Sequence, residues 1–273
     1  MKKELGLFDV YALATGATLS SGFFLLPGLA ASYVGSALPL AYLIAAAFLL
    51  PGLLAKAELA TAMPRSGGDY YFLDRSMGPL WGTMSGFGTW VSLILKTSFA
   101  LVGLGAYLGL YFPDLDIKPV AAGLAILFGL VNLMGAKKSG LAQAFLVIGL
   151  LIILVWFSGV GFMNMKAGQF TEMFATPGAT LISTAGLVIV SYMGLTKVAS
   201  VAGEVKNPER NLPLGMLLAY LTALVVYLGG TSIMIGVVGA DALGADGGSL
   251  TPVALVADAM VGPWGGVLMT IAA

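Results

Sequence analysis

The stretch TGATLSSGFFLLPG, residues 15–28, decides how the rest of the chain folds. It lies in the uncharged run between Asp9 and Lys56, and the first 25 or so residues of this run have the length and polarity of a helix that crosses a lipid bilayer. Five of its seven central residues disfavour a helix interior: Gly16, Thr18, Ser20, Ser21 and Gly22. Because unpaired backbone groups are costly in hydrocarbon, the sequence predicts an interrupted helix whose freed groups meet protein or a polar solute.

The composition indicates a membrane protein. Of the 273 residues, 59% are apolar and only 10% are charged, whereas soluble domains average about 25% charged residues. The net charge is zero, so no bulk attraction to nucleic acid is expected. Cysteine and histidine are absent, which excludes disulfides, thiolate nucleophiles, the usual zinc sites and histidine acid–base chemistry. We expect that the protein is not an enzyme and has no catalytic residue, no metal and no bound cofactor.

Apolar runs bounded by charges, glycine and proline predict eight helical spans. Their expected ranges are 8–33, 38–63, 80–112, 118–135, 140–164, 179–203, 212–238 and 263–273. The first is expected to remain as an uncleaved span rather than a signal peptide. The last has about 11 residues, too few to cross ~30 Å of hydrocarbon at ~1.5 Å per residue, which predicts a truncated chain that ends inside a helix.

The positive charges are distributed unevenly between the two sides of the predicted spans. If the N-terminus is cytoplasmic, the inside loops carry Lys2, Lys3, Arg65, Arg75, Lys137, Lys138, Lys206 and Arg210, and the outside loops carry Lys118 and Lys166. This bias predicts a multi-pass protein of the inner or plasma membrane with a cytoplasmic N-terminus. The sequence does not indicate an oligomeric state.

Two loops share a pattern and predict an internal repeat. PRSGGDYYFLDRSMGPLWG, residues 64–82, follows the second span, and GADGGSLTPVALVADAMVGPWGG, residues 244–266, follows the seventh. Each has Gly-Gly, a short amphipathic segment, Gly-Pro and a tryptophan, and the two lie on opposite sides of the bilayer. This is typical of an inverted-topology repeat, with 1–165 as a first five-helix unit and 166–273 as the start of a second in one transmembrane domain. Coincidental Gly and Pro punctuation is the alternative.

The sixth span, which corresponds to the first in such a repeat, also contains an interruption. It falls at SYMGLT, residues 191–196. Two broken spans at matching positions are typical of a transporter site. Bare carbonyls at one half-helix end and bare N–H groups at the other suit a zwitterion, whose carboxylate would meet Ser21 and the Gly22 amide. The alternative is that the small residues only let helices pack closely.

Four passages resemble the amino acid–polyamine–organocation superfamily of permeases. They are GATLSSGFF (16–24), AELATAMPRSGGDYY (57–71), YMGLT (192–196) and GEVKNPERNLP (203–213). The resemblance covers almost the whole chain, and the last passage is the most specific. It implies the leucine-transporter fold, an all-α polytopic architecture of five plus five inverted helices, of which about the first seven to eight are present here.

The resemblance also implies a function and a site. The function is secondary active transport of amino acids by alternating access, as proton symport or exchange; the usual sodium site would use the eighth helix, so sodium coupling is left open. The substrate ammonium would meet carbonyls around Thr18 and around residues 190–193. Together with Lys96, a lysine near the middle of the third span, the predicted binding residues are Gly16, Thr18, Ser20, Ser21, Gly22, Val190, Ser191, Tyr192, Met193 and Gly194.

Several charged residues lie within or beside the predicted spans. A lysine at mid-membrane, such as Lys96, usually faces a cavity or a partner. Two readings stay open for Lys96: a cation that lines the cavity and favours neutral or acidic amino acids, or a structural lysine paired with a carboxylate. Lys56 is expected to extend to the membrane surface. The predicted inner gate comprises Glu58, Arg65, Glu204, Lys206 and Arg210.

Two other functional classes remain as alternatives to a carrier. The first is a membrane sensor that binds an amino acid without moving it. The second is an intramembrane enzyme with a Ser92–Lys96 dyad, since these residues lie four apart on one helix. The sequence contains no G-x-x-x-x-G-K-[ST] loop, which argues against an ATP-driven pump.

Overall fold

The computed structural model describes residues 3–133 and 136–273 and shows a bundle of α-helices. In chain order the helices are α1 (Leu7–Thr18), α2 (Ser21–Phe24), α3 (Leu26–Val34), α4 (Leu38–Ala62), α5 (Asp69–Met77), α6 (Pro79–Gly109), α7 (Ile117–Leu133), α8 (Ala136–Asn164), α9 (Gly178–Tyr192), α10 (Pro208–Val238), α11 (Ala240–Gly244), α12 (Pro252–Val261) and α13 (Pro263–Ala272). A 3-10 helix, Met193–Glu204, continues α9. Lys2 and residues 134–135 of the predicted fourth span lie outside the described residues.

The predicted spans correspond to these elements within a few residues at most ends. Span 1 comprises α1 to α3, span 6 comprises α9 with its 3-10 continuation, and spans 2, 3, 4, 5, 7 and 8 are α4, α6, α7, α8, α10 and α13. In the described part of the chain, five continuous helical stretches are long and apolar enough to cross a bilayer: Leu26–Ala62, Pro79–Gly109, Gln143–Asn164, Gly178–Glu204 and Pro208–Val238. The first of these joins α3 to α4 through a tight corner.

Span 1 is interrupted at the predicted place. Helix α1 ends at Thr18, Leu19 and Ser20 have non-helical dihedral angles, and α2 begins at Ser21. A second irregularity at Leu25 separates α2 from α3. The chain then reverses at Gly35, whose φ of 54° lies in the left-handed region that favours glycine. Span 1 is therefore three short helices rather than one long one.

The broken spans lie at the centre of the bundle. Helix α1 packs against α10, α8 and the 3-10 segment, while α4 packs against α9 and α10. Small side chains let these helices approach closely, and Ala14, Ala45, Ala185 and Ala219 are completely buried. By contrast, α6 and α8 expose large apolar side chains such as Phe87 and Phe145, as expected of helices that face lipid.

Two helical hairpins share one local geometry and correspond to the two loops with the shared sequence pattern. In each, a short helix ends at a glycine with positive φ, 95° at Gly78 and 75° at Gly262, and a proline opens the next helix. One turn further on, a glycine packs on an aspartate of the short helix. These pairs are Gly82 on Asp74 and Gly266 on Asp258.

Neighbouring glycines of α10 provide a test of how tightly the broken span is packed. A Cβ on Gly230 would overlap the ring of Phe23 in α2, whereas a Cβ on Gly229 would meet nothing within 4 Å. We expect Gly230→Ala to destabilise the protein by about 1–3 kcal/mol through overpacking, and Gly229→Ala to leave stability unchanged or slightly raised. Melting temperatures of the purified variants in detergent measure this. Equal melting temperatures would contradict the observed packing.

Candidate functional site

The broken segments of spans 1 and 6 lie directly against each other. A Cβ on Gly22 would approach the Cα of Ser191 to 2.8 Å and the hydroxyl of Tyr227 to 2.8 Å. A Cβ on Gly194 would overlap the backbone of Ala17. Glycine at these two positions thus permits a backbone approach that no side chain would allow. The structure brings the break of span 1 against residues 191–194 of span 6.

The interruption in span 6 differs in form from the one in span 1. The sequence predicts a break at residues 191–196, but α9 runs to Tyr192 and the chain then narrows to 3-10 geometry from Met193. A distortion follows at Val201, with φ −108° and ψ 15°. A 3-10 helix keeps its groups bonded three residues apart, so span 6 changes helix type where span 1 unwinds.

Side chains from distant helices cap the carbonyls at the end of α1. Lys96 Nζ of α6 donates a hydrogen bond of 2.6 Å to the carbonyl of Ala17. The Tyr227 hydroxyl of α10 lies 2.9 Å from the Thr18 carbonyl and 3.2 Å from the Ser191 carbonyl. One phenol therefore bridges both broken spans. The Thr18 carbonyl also accepts the N–H of Ser20 at 2.8 Å, so it has two donors at the break.

Two further tyrosines satisfy the carbonyls on the other side of the break. The Gly22 carbonyl accepts from the Tyr42 hydroxyl at 3.1 Å and from Ser191 Oγ at 3.3 Å. The Phe24 carbonyl accepts from the Tyr107 hydroxyl at 2.8 Å. The rings of Tyr42 and Tyr227 are 5.1 Å apart, so these hydroxyls belong to a buried aromatic cluster.

The donor side of the break is not satisfied in the same way. Within the described residues, the N–H groups of Ser21 and Gly22 have no hydrogen-bond acceptor. The Ser20 hydroxyl is buried without a partner, and so is the hydroxyl of Thr15. Buried polar groups in folded proteins are nearly always paired, so such groups in a cluster indicate a place for a ligand or water. At the break, side chains donate hydrogen bonds to the carbonyls, whereas the described residues provide no acceptor for the N–H groups of Ser21 and Gly22.

The predicted binding residues divide into a buried set and an exposed pair. Thr18, Gly22, Ser191, Tyr192 and Gly194 are buried, and Ser20 and Ser21 are half-buried at the break. Val190 is 46% exposed and Met193 is 47% exposed, so their side chains point away from the Gly22 contact.

Gly16, another predicted binding residue, lies within α1 rather than in the unwound segment. A Cβ there would meet Val147 and Gln143 of α8 at 2.7 and 2.8 Å. Close helix packing explains this glycine.

Lys96 fits neither of its two expected settings completely. It lies on α6 beside the break, as a cation lining the site would, but its bonded partner is a backbone carbonyl rather than a carboxylate. The same bond directs its ammonium to Ala17 instead of Ser92. Lys56 Nζ pairs with Asp69 at 2.7 Å, and its extension to the membrane surface stays a prediction.

The segments of the predicted gate meet through their backbones. Gly67 donates an N–H to the Ser200 carbonyl at 3.1 Å, so the loop after α4 contacts the 3-10 segment. Leu5 donates to the Glu204 carbonyl at 3.0 Å, and Lys206 donates to the Leu5 carbonyl at 2.8 Å. Glu204 is half-buried. The other predicted gate side chains are exposed: Glu58, Arg65, Lys206 and Arg210.

Sequence reasoning missed the tyrosines that cap the break. Tyr42, Tyr107 and Tyr227 are completely or almost completely buried in largely aliphatic helices. A tyrosine in such a position needs a partner for its hydroxyl, and this need is the signal that points to a nearby irregular backbone.

This arrangement can be compared with known proteins. A family model described as Amino acid permease matches residues 5–273. The chain belongs to this family, which lies in the amino acid–polyamine–organocation superfamily. Together with the apolar helices, membership makes it a multi-pass membrane protein.

Three curated relatives from Bacillus subtilis (strain 168) are similar to this permease-family chain. The branched-chain amino acid permease BcaP is 29% identical, with 87% of this chain and 56% of the relative covered. The serine/threonine exchanger SteT is 31% identical, with coverage of 84% and 53%. An aspartate–proton symporter is 29% identical, with coverage of 83% and 46%. The chain thus spans about half the length of the curated relatives it matches.

The contribution of the two Tyr227 hydrogen bonds can be tested by removing the hydroxyl group alone. Tyr227→Phe leaves the buried carbonyls of Thr18 and Ser191 without this donor, and we expect a loss of about 1–3 kcal/mol in stability. Tyr33→Phe is the matched control, because Tyr33 is 59% exposed. Thermal unfolding of both variants gives the comparison; a Tyr227→Phe protein as stable as the control would show that the bridge contributes nothing.

Proposed function

We propose that this protein is a secondary carrier that moves amino acids by alternating access, with the broken segments of spans 1 and 6 as the solute site. The relatives that support this are named as a permease, an exchanger and a symporter. A carrier needs a binding site between elements that move against each other, and half-helices that meet at mid-bilayer provide one.

The observation that carries the proposal is the set of unpaired donors at the break. The N–H groups of Ser21 and Gly22 open helix α2, beside the buried hydroxyl of Ser20. Such a cluster accepts a carboxylate, which forms charge-assisted hydrogen bonds with backbone N–H groups. A solute carboxylate at this place supplies the acceptors that the chain itself does not.

In this proposal, Lys96 selects against cationic solutes on the carbonyl side of the break. Its ammonium sits on the Ala17 carbonyl, where the α-ammonium of a bound amino acid would otherwise find an acceptor. A solute must therefore compete with this tethered cation, or bind alongside it with negative charge. Both conditions disfavour cationic amino acids, and the proposed substrates are neutral or acidic.

The remaining features of the transport cycle follow from the same proposal. The N-terminus is cytoplasmic in the inner or plasma membrane, and a proton gradient or exchange drives the flux. Units 1–165 and 166–273 form the inverted halves, which the matching hairpins at Gly78 and Gly262 support. Glu58, Arg65, Glu204, Lys206 and Arg210 belong to the inner gate, which the contact of Gly67 with Ser200 supports.

Counterflow in proteoliposomes tests the carrier against the alternative of a sensor. Vesicles loaded with unlabelled neutral or acidic amino acids should accumulate the labelled solute from outside if the protein exchanges it. Gly22→Ala should abolish this flux, because the new methyl group meets Ser191 and Tyr227, while Gly229→Ala should retain it. Binding of the amino acid without any flux would identify a sensor instead.

A separate experiment tests the role of Lys96. We expect Lys96→Met to free the Ala17 carbonyl and admit cationic amino acids such as arginine, with a changed pH dependence of uptake. Thr97→Val is the control, because Thr97 is exposed and bonds to the carbonyl of Leu93 in its own helix. Competition assays against labelled substrate measure the solute range. An unchanged range and an unchanged pH profile in Lys96→Met would remove the proposed role.

A further inference from the structure

A second polar region lies next to the break of span 1 and is not part of the solute site proposed there. It is a cavity of about 290 Å³ between the loop after α4, one face of α6 and the 3-10 segment of span 6. Lys56, Asp69 and Lys197 line it, and we call it the lysine pocket. Its volume is close to the lower end of the roughly 300–1,000 Å³ typical of ligand pockets, so it suits a molecule with few atoms.

A polar stripe on α6 connects the lysine pocket with the break. Ser85, Thr89 and Ser92 line the pocket, and Lys96 follows one turn further along. Residues three and four apart lie on one face of a helix, so these four side chains form a single row. Because Lys96 reaches the Ala17 carbonyl, the row runs from the pocket to the end of α1.

The charges of the lysine pocket do not balance. Lys56 Nζ lies 2.7 Å from Asp69 Oδ1 and donates a hydrogen bond of 2.7 Å to Oδ2, so this lysine and this carboxylate neutralise each other. Asp69 is the one carboxylate among the residues described as lining the pocket. Lys197 therefore adds an uncompensated positive charge, and no salt bridge of Lys197 is found in the described part of the chain.

Lys197 shares the lining of the pocket with the Lys56–Asp69 pair, and Lys96 lies one turn beyond the pocket on α6. Lys197 is half-buried, so water screens its charge less than at a fully exposed position. An anion that enters the pocket relieves the repulsion between the lysines, whereas a cation increases it.

We infer that the lysine pocket binds the carboxylate of an anionic solute and gives the protein a preference for acidic over neutral amino acids. This inference rests on the proposed function, because the solute held here is the one that moves along the stripe to the break. Lys197 supplies the charge, and the hydroxyls of Ser85, Thr89 and Ser92 supply further donors.

The test compares Lys197→Gln with Lys166→Gln, which removes the same charge from an exposed lysine away from the pocket. The full chain is placed in nanodiscs of zwitterionic phosphatidylcholine, so that no anionic lipid competes for the lysines. Calorimetry with L-aspartate should show affinity weakened about tenfold or more in Lys197→Gln and unchanged in Lys166→Gln. Lys197→Arg should keep the affinity, which separates loss of charge from loss of fold.

Two results would overturn the inference. One is an equal L-aspartate affinity in Lys197→Gln and Lys166→Gln, and the other is displacement of L-aspartate by chloride but not by succinate, which would assign the pocket to an inorganic anion. Counterflow with labelled L-serine separates this failure from that of the carrier. If L-serine exchange persists, only the anion site is wrong; if neither neutral nor acidic amino acids show flux, the proposed function fails as well.

Discussion

A backbone that unwinds inside a membrane must find partners for its freed groups, and this requirement organises the centre of the molecule. In the break of span 1, Lys96, Tyr227, Tyr42 and Tyr107 each bring a donor to a carbonyl at the end of α1 or in α2. Every one of these donors comes from another helix, so the break holds its shape only when the bundle is assembled. The carbonyls at the break of span 1 are thus stabilised by donors from α4, α6 and α10, which surround it.

The same centre depends on residues without side chains. Gly22 and Gly194 bring spans 1 and 6 so close that each backbone lies within reach of the other's polar groups. At this distance a single hydroxyl, that of Tyr227, bonds to both spans at once. The close approach of the two backbones and the shared donor therefore occur at the same place.

The position of the break and the ends of most helices follow from the sequence, because Gly, Ser, Thr, Pro and charge act locally on the backbone. The partners of the break do not follow. Tyr227 is separated from Thr18 by most of the chain, and no local rule links them. Gly16 illustrates the same limit: it packs against Val147 and Gln143 of α8, and a glycine that serves packing and one that serves unwinding are alike in sequence. Span 6 keeps 3-10 geometry, a distinction too small in energy for composition to reveal.

A backbone pairing near the start of the chain limits how the first and sixth spans can move. Leu5 and Val205 form a parallel bridge, so the residues that lead into α1 are fastened to the end of the 3-10 segment. Main-chain hydrogen bonds thus hold the start of α1 against the end of the 3-10 segment. A rearrangement that moves one of these two segments must move the other with it or break those bonds.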